Sequence, residues 1–135
     1  MLTAVDSSVL LDVAAADPAW ADASEAALRR ASREGGLVIC ECVLAEITPA
    51  LGADAIDEFL HDWNLRFVPS SAASSKLAGA MLAVHLARGG KRSRVAADFL
   101  IGAHAQLHAA RLLARDRGYL RDYFGKLTVW DPAAK

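Results

Sequence analysis

The chain has 135 residues, of which 54% are hydrophobic and 23% charged, and its formal net charge is −1. This composition excludes a disordered protein, and the length predicts one domain, residues 1–135, with a sizeable core. No apolar run reaches the roughly 18 residues that a membrane span needs. The first residues lack the basic region of a secretory signal, and Cys40 and Cys42 are too few for a disulfide framework or a zinc site. We therefore expect a cytoplasmic protein with reduced thiols.

Short apolar runs alternate with amphipathic segments along the whole chain. Strands are predicted at the apolar runs, which are residues 2–5, 37–40, 65–68, 111–114 and 127–130. Helices are predicted between them, beginning at residues 7, 41, 53, 70, 94 and near 117. Another is predicted to follow the Asp17-Pro18 pair, with the acid as its N-cap and the proline at its first helical position. Short strands that alternate with helices predict an α/β fold, in which helices cover both faces of a mostly parallel sheet.

Four acidic residues occupy positions that such a sheet would bring to one edge. Asp6 ends the first strand, Glu46 flanks an apolar helix stripe, Asp98 lies one turn into a helix, and Asp116 follows the fourth strand. The carboxyl ends of parallel strands form an edge where ligands bind. Carboxylates gathered there repel each other, and a divalent cation relieves that repulsion. Oxygen ligands without Cys or His favour Mg²⁺ or Mn²⁺ over zinc.

Each of these acids also has a purely structural interpretation. Asp6 could cap the helix that follows it, and Glu46 could be an ordinary boundary residue paired with an arginine. Asp98 could pair with Arg94 or interact with the helix dipole, and Asp116 could cap the helix that begins near residue 117. These alternatives stay open for each acid alone. The metal site is predicted by the four together.

Other polar residues are expected to lie outside this site. His104 and His108 are one helical turn apart, on a face that differs from that of Asp98, so we expect a surface or partly packed pair. Glu41 is expected to point to solvent, and Asp12 is expected at most to line the groove.

Charge is distributed unevenly along the chain. Residues 88–126, the basic part of the chain, carry nine Lys/Arg against three Asp/Glu, whereas residues 1–87 carry five against twelve. The basic part predicts a surface that attracts a polyanion.

Four sequence pieces surround the four acids in chain order. They are VDSSVLLD at residues 5–12, CVLAEI at 42–47, ADFLIGAHA at 97–105 and LLARDRGY at 112–119. Together they resemble the PIN-domain family, and specifically the VapC-type ribonuclease toxins of bacterial toxin–antitoxin modules. The resemblance covers nearly the whole chain. One departure is Ala114, where that family frequently has Thr or Ser, and the lost hydroxyl is expected to weaken the support of Asp116 without removing the ligand.

The resemblance implies a three-layer α/β/α fold with a five-stranded sheet of order 3-2-1-4-5. It implies that Asp6, Glu46, Asp98 and Asp116 bind Mg²⁺ or Mn²⁺, with help from the hydroxyl of Ser8. The implied reaction is hydrolysis of an RNA phosphodiester, in which the metal activates the attacking water. The implied partners are a second copy of the chain, in a homodimer, and a cognate antitoxin whose tail crosses the active groove.

Arginines of the basic part are candidates for contacts with the RNA backbone, because guanidinium groups pair well with phosphate. The candidates are Arg94, Arg115, Arg117 and Arg121. The alternative is that they form salt bridges along helix surfaces, and Asp122 offers a local partner for some of them.

Two other functions remain compatible with the pattern. One is a binding module on a PIN scaffold that cleaves little and acts through complexes. The other, less favoured, is a phosphoryl-accepting receiver-like domain, which also has acids at the edge of a doubly wound sheet. Receivers place a second acid after the first strand, where this chain has Ser7-Ser8, and a lysine at the end of the last strand, where it has Trp130-Asp131-Pro132.

Overall fold

A computed structural model describes residues 1–91, 95–115 and 119–133, without the side chains of Val95 and Tyr119. Within these residues, five strands form one sheet: β1 (Thr3–Val5), β2 (Leu37–Ile39), β3 (Leu65–Phe67), β4 (Arg111–Leu113) and β5 (Val129–Trp130). All neighbouring strands are parallel, and their order is β3-β2-β1-β4-β5. The predicted α/β fold and the implied strand order are therefore confirmed.

Helices flank the sheet in the order that the alternating sequence predicts. They are α1 (Ser7–Ala14), α2 (Ala21–Glu34), α3 (Glu41–Leu51), α4 (Ile56–Asp62), α5 (Ala72–Ala87), α6 (Val95–His108) and α7 (Tyr119–Tyr123). The order of the strands reverses at β1, so with right-handed crossovers the helices before β3 lie on one face and α5 and α6 on the other. The carboxyl end of β1 is therefore the point at which an open parallel sheet binds ligands.

The strand order also separates this fold from a receiver-like domain. Receivers of the flavodoxin-like type have the order 2-1-3-4-5, in which the first strand is next to last at one side of the sheet. Here β1 is the central strand, with two strands on either side. The receiver-like alternative is therefore wrong.

The helices α5, α6 and α7 share an apolar cluster that is separate from the main core around the sheet. Its buried residues are Ala78, Phe99, Ala103 and Phe124. The rings of Phe99 and Tyr123 meet edge to face, with centroids 4.9 Å apart. The main core also includes Ile101 and Ala105 of α6, so this helix contributes to both clusters.

The start of α2 differs from the prediction that it follows the Asp17-Pro18 pair. The helix begins at Ala21, because the Asp17 carboxylate accepts hydrogen bonds from the backbone N–H groups of Ala19 (2.8 Å) and Trp20 (3.1 Å). These bonds close a turn in which an Asp side chain replaces a backbone acceptor. Pro49 lies in the last turn of α3.

Gly102 permits close packing of α6 on Phe124, the residue after α7, because a Cβ atom at Gly102 would lie 2.6 Å from Cε2 of that ring. Gly102→Ala is expected to lower the free energy of unfolding by roughly 1–3 kcal/mol through overpacking. Gly79→Ala in α5 is the matched control, since its Cβ would meet nothing within 4 Å. The control should raise stability by about 0.5–1 kcal/mol through helix propensity. Chemical denaturation measures both, and equal stabilities would contradict the close approach.

Candidate active site at the carboxyl edge of the sheet

Asp6 follows β1 directly and caps α1. Its Oδ2 atom accepts a hydrogen bond from the backbone N–H of Ser8 at 3.2 Å and another from the Ser8 hydroxyl at 2.5 Å. The capping role is therefore real, as the structural interpretation of this acid supposed. Both bonds use Oδ2, and within the described residues Oδ1 accepts none. The Asp6 carboxylate is thus held in one orientation, and its Oδ1 atom remains able to bind a ligand at the carboxyl edge of the sheet.

Glu46 approaches Asp6 through the neighbouring serine. The buried hydroxyl of Ser7 donates to Oε1 of Glu46 at 3.2 Å, which connects the start of α1 to the middle of α3. Glu46 keeps contact with solvent, but partial burial raises its pKa, and the charges of Asp6 and Asp98 raise that pKa further. The hydrogen bond from Ser7 acts in the opposite direction. Glu46 therefore lies within electrostatic reach of two other acids.

The raised pKa of Glu46 has a consequence for stability. A carboxyl group with a raised pKa binds protons more readily in the folded chain than in the unfolded chain. As the pH rises from the ordinary carboxyl pKa through the raised value, the folded state therefore loses stability. The cause is partial burial first and the neighbouring charges of Asp6 and Asp98 second. A cation placed among these acids would remove this penalty.

Asp98 lies in the first turn of α6 with an exposed side chain, and its charge acts on Glu46. Asp116 lies outside the described residues, as do Arg94 and Arg117. The structure therefore shows an electrostatic interaction of Glu46 with two of the other three predicted acids, Asp6 and Asp98.

No group of three or more His, Cys, Asp or Glu among residues 1–91, 95–115 and 119–133 is arranged closely enough to hold a metal ion. The donors present are carboxylate oxygens, which nevertheless fit a hard cation such as Mg²⁺.

The four arginines that were candidates for RNA contacts differ in what the structure describes. Arg121 lies on α7 and is exposed. Arg115 follows β4, and its Nη2 atom forms an ion pair with Oδ1 of the buried Asp12 at 2.9 Å. A phosphate contact by Arg115 would compete with this ion pair. The Arg115 N–H also donates to the Ser8 hydroxyl oxygen at 3.3 Å, so the end of β4 contacts the start of α1.

Several polar residues behave differently from their prediction. Glu41 is half-buried rather than solvated, because its Oε1 accepts the backbone N–H of Ser70 at 2.8 Å. His104 is buried, with Nε2 2.7 Å from the carbonyl oxygen of Val68, and burial lowers its pKa. Sequence reasoning also missed Ser7, since nothing in the Ser7-Ser8 pair shows that the two hydroxyls bond to different acids.

A model of the PIN domain matches residues 3–124 of the chain. The chain belongs to the PIN-domain family. The predicted family is thus confirmed over nearly the whole sequence. Among curated proteins, none matches this PIN domain.

Solved structures share the fold of this PIN domain at low sequence identity. A chain of the VapBC2 complex from Rickettsia felis, bound to a promoter DNA fragment, has a TM-score of 0.73 and 17% identity, covering 97% of this chain and 98% of that one. A chain of FitAcB from Neisseria gonorrhoeae has a TM-score of 0.69 and 17% identity, covering 98% of both chains. DNA-bound VapBC from Salmonella typhimurium has a TM-score of 0.71 and 14% identity, covering 98% of this chain and 100% of that one.

Hydropathy adds one further finding about the PIN domain. In the part of the chain that the structure describes, none of the helices has both the length and the apolar character that crossing a membrane requires.

Two substitutions should move the pKa of Glu46 in opposite directions. Asp6→Asn is expected to lower it, because a neutral amide replaces one of the charges that raise it, and Asn also caps helices well. Ser7→Ala is expected to raise it further, because the carboxylate loses a hydrogen bond. A ¹³C NMR titration of the glutamate carboxyl groups in metal-free protein measures both. Shifts in the same direction would contradict the geometry of the site.

Proposed function

We propose that this PIN domain is a Mg²⁺- or Mn²⁺-dependent endoribonuclease that acts as the VapC-type toxin of a toxin–antitoxin pair. The observation that carries the proposal is the electrostatic coupling of Glu46 to Asp6 and Asp98 at the carboxyl end of the central strand. A carboxylate whose pKa is raised by neighbouring negative charges is costly to keep in its charged form unless a cation binds beside it. The family model that covers residues 3–124 supports the same function, because nuclease activity is what the resemblance implies.

In this proposal, Asp6, Glu46, Asp98 and Asp116 hold the metal. When bound, the metal lowers the pKa of a water molecule and offsets negative charge on the phosphoryl group. The chain supplies the orientation of the ligands. Ser8 holds Oδ2 of Asp6, and Ser7 holds Oε1 of Glu46, so each carboxylate keeps a second oxygen for the metal. The hydrogen bond from Ser7 also favours the charged form of Glu46, which is the form that binds a cation.

The RNA substrate is proposed to lie along the basic part of the chain. Arg121 is exposed on α7, and Arg94 and Arg117 remain candidates from the sequence alone. Lys126, Lys91 and Arg88 add exposed positive charge in the same part of the chain. Positive charge concentrated in this part of the chain attracts the phosphate backbone irrespective of base sequence. The acids alone would repel RNA, so this positive charge is needed for binding.

The proposed partners are a cognate antitoxin and a second copy of the chain in a homodimer. The support for the antitoxin is the end-to-end likeness to chains of the VapBC complexes and of a toxin–antitoxin complex from Klebsiella pneumoniae, with a TM-score of 0.64 for the last. The homodimer rests on the family resemblance. Sedimentation of the purified chain measures it, and a monomer at micromolar concentration would contradict it.

A second candidate is a PIN-scaffold binding module that does not cleave RNA. It is favoured by one observation, which is that the described acids form no ready metal cage. Binding of RNA without cleavage, in the presence of either Mg²⁺ or Mn²⁺, would support this candidate against the nuclease.

Substitution of the acids tests the nuclease directly. Asp6→Asn and Asp98→Asn should each lower the rate of Mn²⁺-dependent RNA cleavage at least about 100-fold, because each removes a negative ligand oxygen. Asp57→Asn is the matched control, since Asp57 is an exposed acid on α4, a helix that carries none of the proposed metal ligands. Cleavage of a fluorescently labelled RNA measures the rates, and circular dichroism checks folding. Full activity in the folded Asp6 and Asp98 variants would contradict the assigned site.

Expression in bacteria tests the toxin role. Expression of the wild-type chain is expected to arrest growth, and Asp98→Asn is expected to relieve the arrest, because loss of a metal ligand stops RNA cleavage. Co-expression of the cognate antitoxin, to be sought as a small protein encoded next to this gene, should relieve the arrest of wild type as well. Growth curves after induction measure both effects. Equal arrest by wild type and the folded Asp98→Asn variant would argue against toxicity through RNA cleavage.

A further inference from the structure

We infer that Asp12 and Arg115 are a pair of positioning residues, which orient the Asp6 carboxylate through the hydroxyl of Ser8. The inference rests on the proposed function, because it assigns the pair to the proposed metal site. It gives Arg115 a role in the protein's own structure in place of a contact with RNA. Three successive contacts among described residues connect Asp12 to Asp6.

The first contact is the ion pair itself. Asp12 is 3% exposed, and both of its carboxylate oxygens have partners. Oδ1 accepts from Nη2 of Arg115 at 2.9 Å, and Oδ2 accepts from the hydroxyl of Ser24 at 2.8 Å. A buried carboxylate is tolerated only when it is paired and hydrogen-bonded, so Arg115 is the charge that compensates Asp12. The pair therefore joins α1, α2 and the end of β4.

The guanidinium of Arg115 is held on a second side by an aromatic ring. Its central carbon lies 5.1 Å from the centroid of Trp20, which is the distance of a cation–π contact. Its side chain is 29% exposed, and its Nε atom is buried. An arginine that binds phosphate presents its donors to solvent, whereas this guanidinium faces Asp12 on α1 and Trp20 just before α2.

The second and third contacts lead from the backbone of Arg115 to the acid. Its N–H donates to the Ser8 hydroxyl oxygen at 3.3 Å, and the same hydroxyl donates its hydrogen to Oδ2 of Asp6 at 2.5 Å. The Arg115 N–H thus sets the direction in which the Ser8 hydroxyl points. Ser8 and Asp12 are four residues apart on α1, so the side chain and the backbone of Arg115 are held by one helix face. Loss of the ion pair between Asp12 and Arg115 would therefore also loosen the hydrogen bond from the Arg115 N–H to the Ser8 hydroxyl.

The charges of the two residues separate this inference from simpler explanations. If only long-range electrostatics mattered, Arg115→Gln would strengthen Mn²⁺ binding, because it removes a positive charge near the acids. If Arg115 contacted phosphate, Arg115→Gln would weaken RNA binding and Asp12→Asn would strengthen or preserve it. Positioning predicts instead that both substitutions weaken Mn²⁺ binding.

The test compares wild type with Asp12→Asn, Arg115→Gln and the double variant. The dissociation constant for Mn²⁺ is measured by electron paramagnetic resonance, and kcat and KM are measured on a labelled RNA. Each single variant is expected to weaken Mn²⁺ binding and to lower kcat at fixed Mn²⁺ by about tenfold, with KM for RNA changed less than about twofold. The double variant should bind Mn²⁺ no more weakly than the single variant with the larger dissociation constant, because both substitutions break the same contact.

Two control variants keep the test decisive. Arg33→Gln removes an exposed arginine from α2 and should leave the Mn²⁺ constant unchanged. Arg115→Lys keeps the charge opposite Asp12, so it should restore part of the Mn²⁺ affinity that Arg115→Gln loses. If Asp12→Asn does not fold, the comparison of Arg115→Lys with Arg115→Gln decides the question.

Several outcomes would overturn the inference. It fails if Arg115→Gln keeps or strengthens Mn²⁺ binding, or if it raises KM for RNA while Asp12→Asn has no effect. It also fails if wild type does not bind Mn²⁺. If wild type binds Mn²⁺ without cleaving RNA, the nuclease proposal fails, but the Mn²⁺ constants of the variants still decide whether the pair positions Asp6.

Discussion

Repulsion between carboxylates at the end of β1 is the constraint on which the site depends. The pKa of Glu46 is raised by partial burial and by the charges of Asp6 and Asp98, so the fold keeps these acids near one another at a cost in stability. The cost is limited by two adjacent serines. Ser7 donates a hydrogen bond to Glu46, and Ser8 donates one to Asp6. Because one helix start supplies both hydroxyls, the first turn of α1 orients two acids that are far apart in the sequence.

Much of the architecture could be predicted from the sequence because it follows from local patterns. Apolar runs separated by helical segments identify strands and helices, and the strand order matches the family that the acid-containing pieces resemble. The start of α2 was misplaced because an Asp before a proline can either cap a helix or close a turn. At Asp17 the carboxylate bonds to Ala19 and Trp20, which closes a turn, and the sequence alone does not distinguish the two cases.

The site could be predicted less completely than the fold. The position of Asp6 follows from the end of a strand, but which oxygen is held, and by which serine, depends on side-chain geometry. Glu41 was expected in solvent because helical periodicity places it opposite the apolar stripe. Periodicity along one helix carries no information about the segment after β3, whose Ser70 N–H bonds to Glu41. Asp12 was underestimated for the same reason, since its partner Arg115 is distant in the sequence.

Arginine side chains cover the indole rings of this chain. Arg29 lies 5.0 Å from the ring centroid of Trp63, Arg30 and Arg111 lie 5.1 and 4.6 Å from that of Trp130, and Arg115 covers Trp20. An indole face that is covered by a guanidinium is not available for a base to stack upon. The proposed RNA binding therefore draws no base stacking from the covered faces of these tryptophans.

The separate apolar cluster of α5, α6 and α7 bears on local unfolding, in which part of a folded protein exposes its backbone amides to solvent. The central strands β1 and β2 are fully buried in the main core. In contrast, α5 and α7 belong chiefly to the smaller cluster, which they form with α6 around Phe99 and Phe124. Cooperative units with fewer buried contacts open at lower free energy than the core. The backbone amide hydrogens of α5 and α7 should therefore exchange with deuterium before those of β1 and β2, while α6, which belongs to both clusters, is protected as a bridge between them.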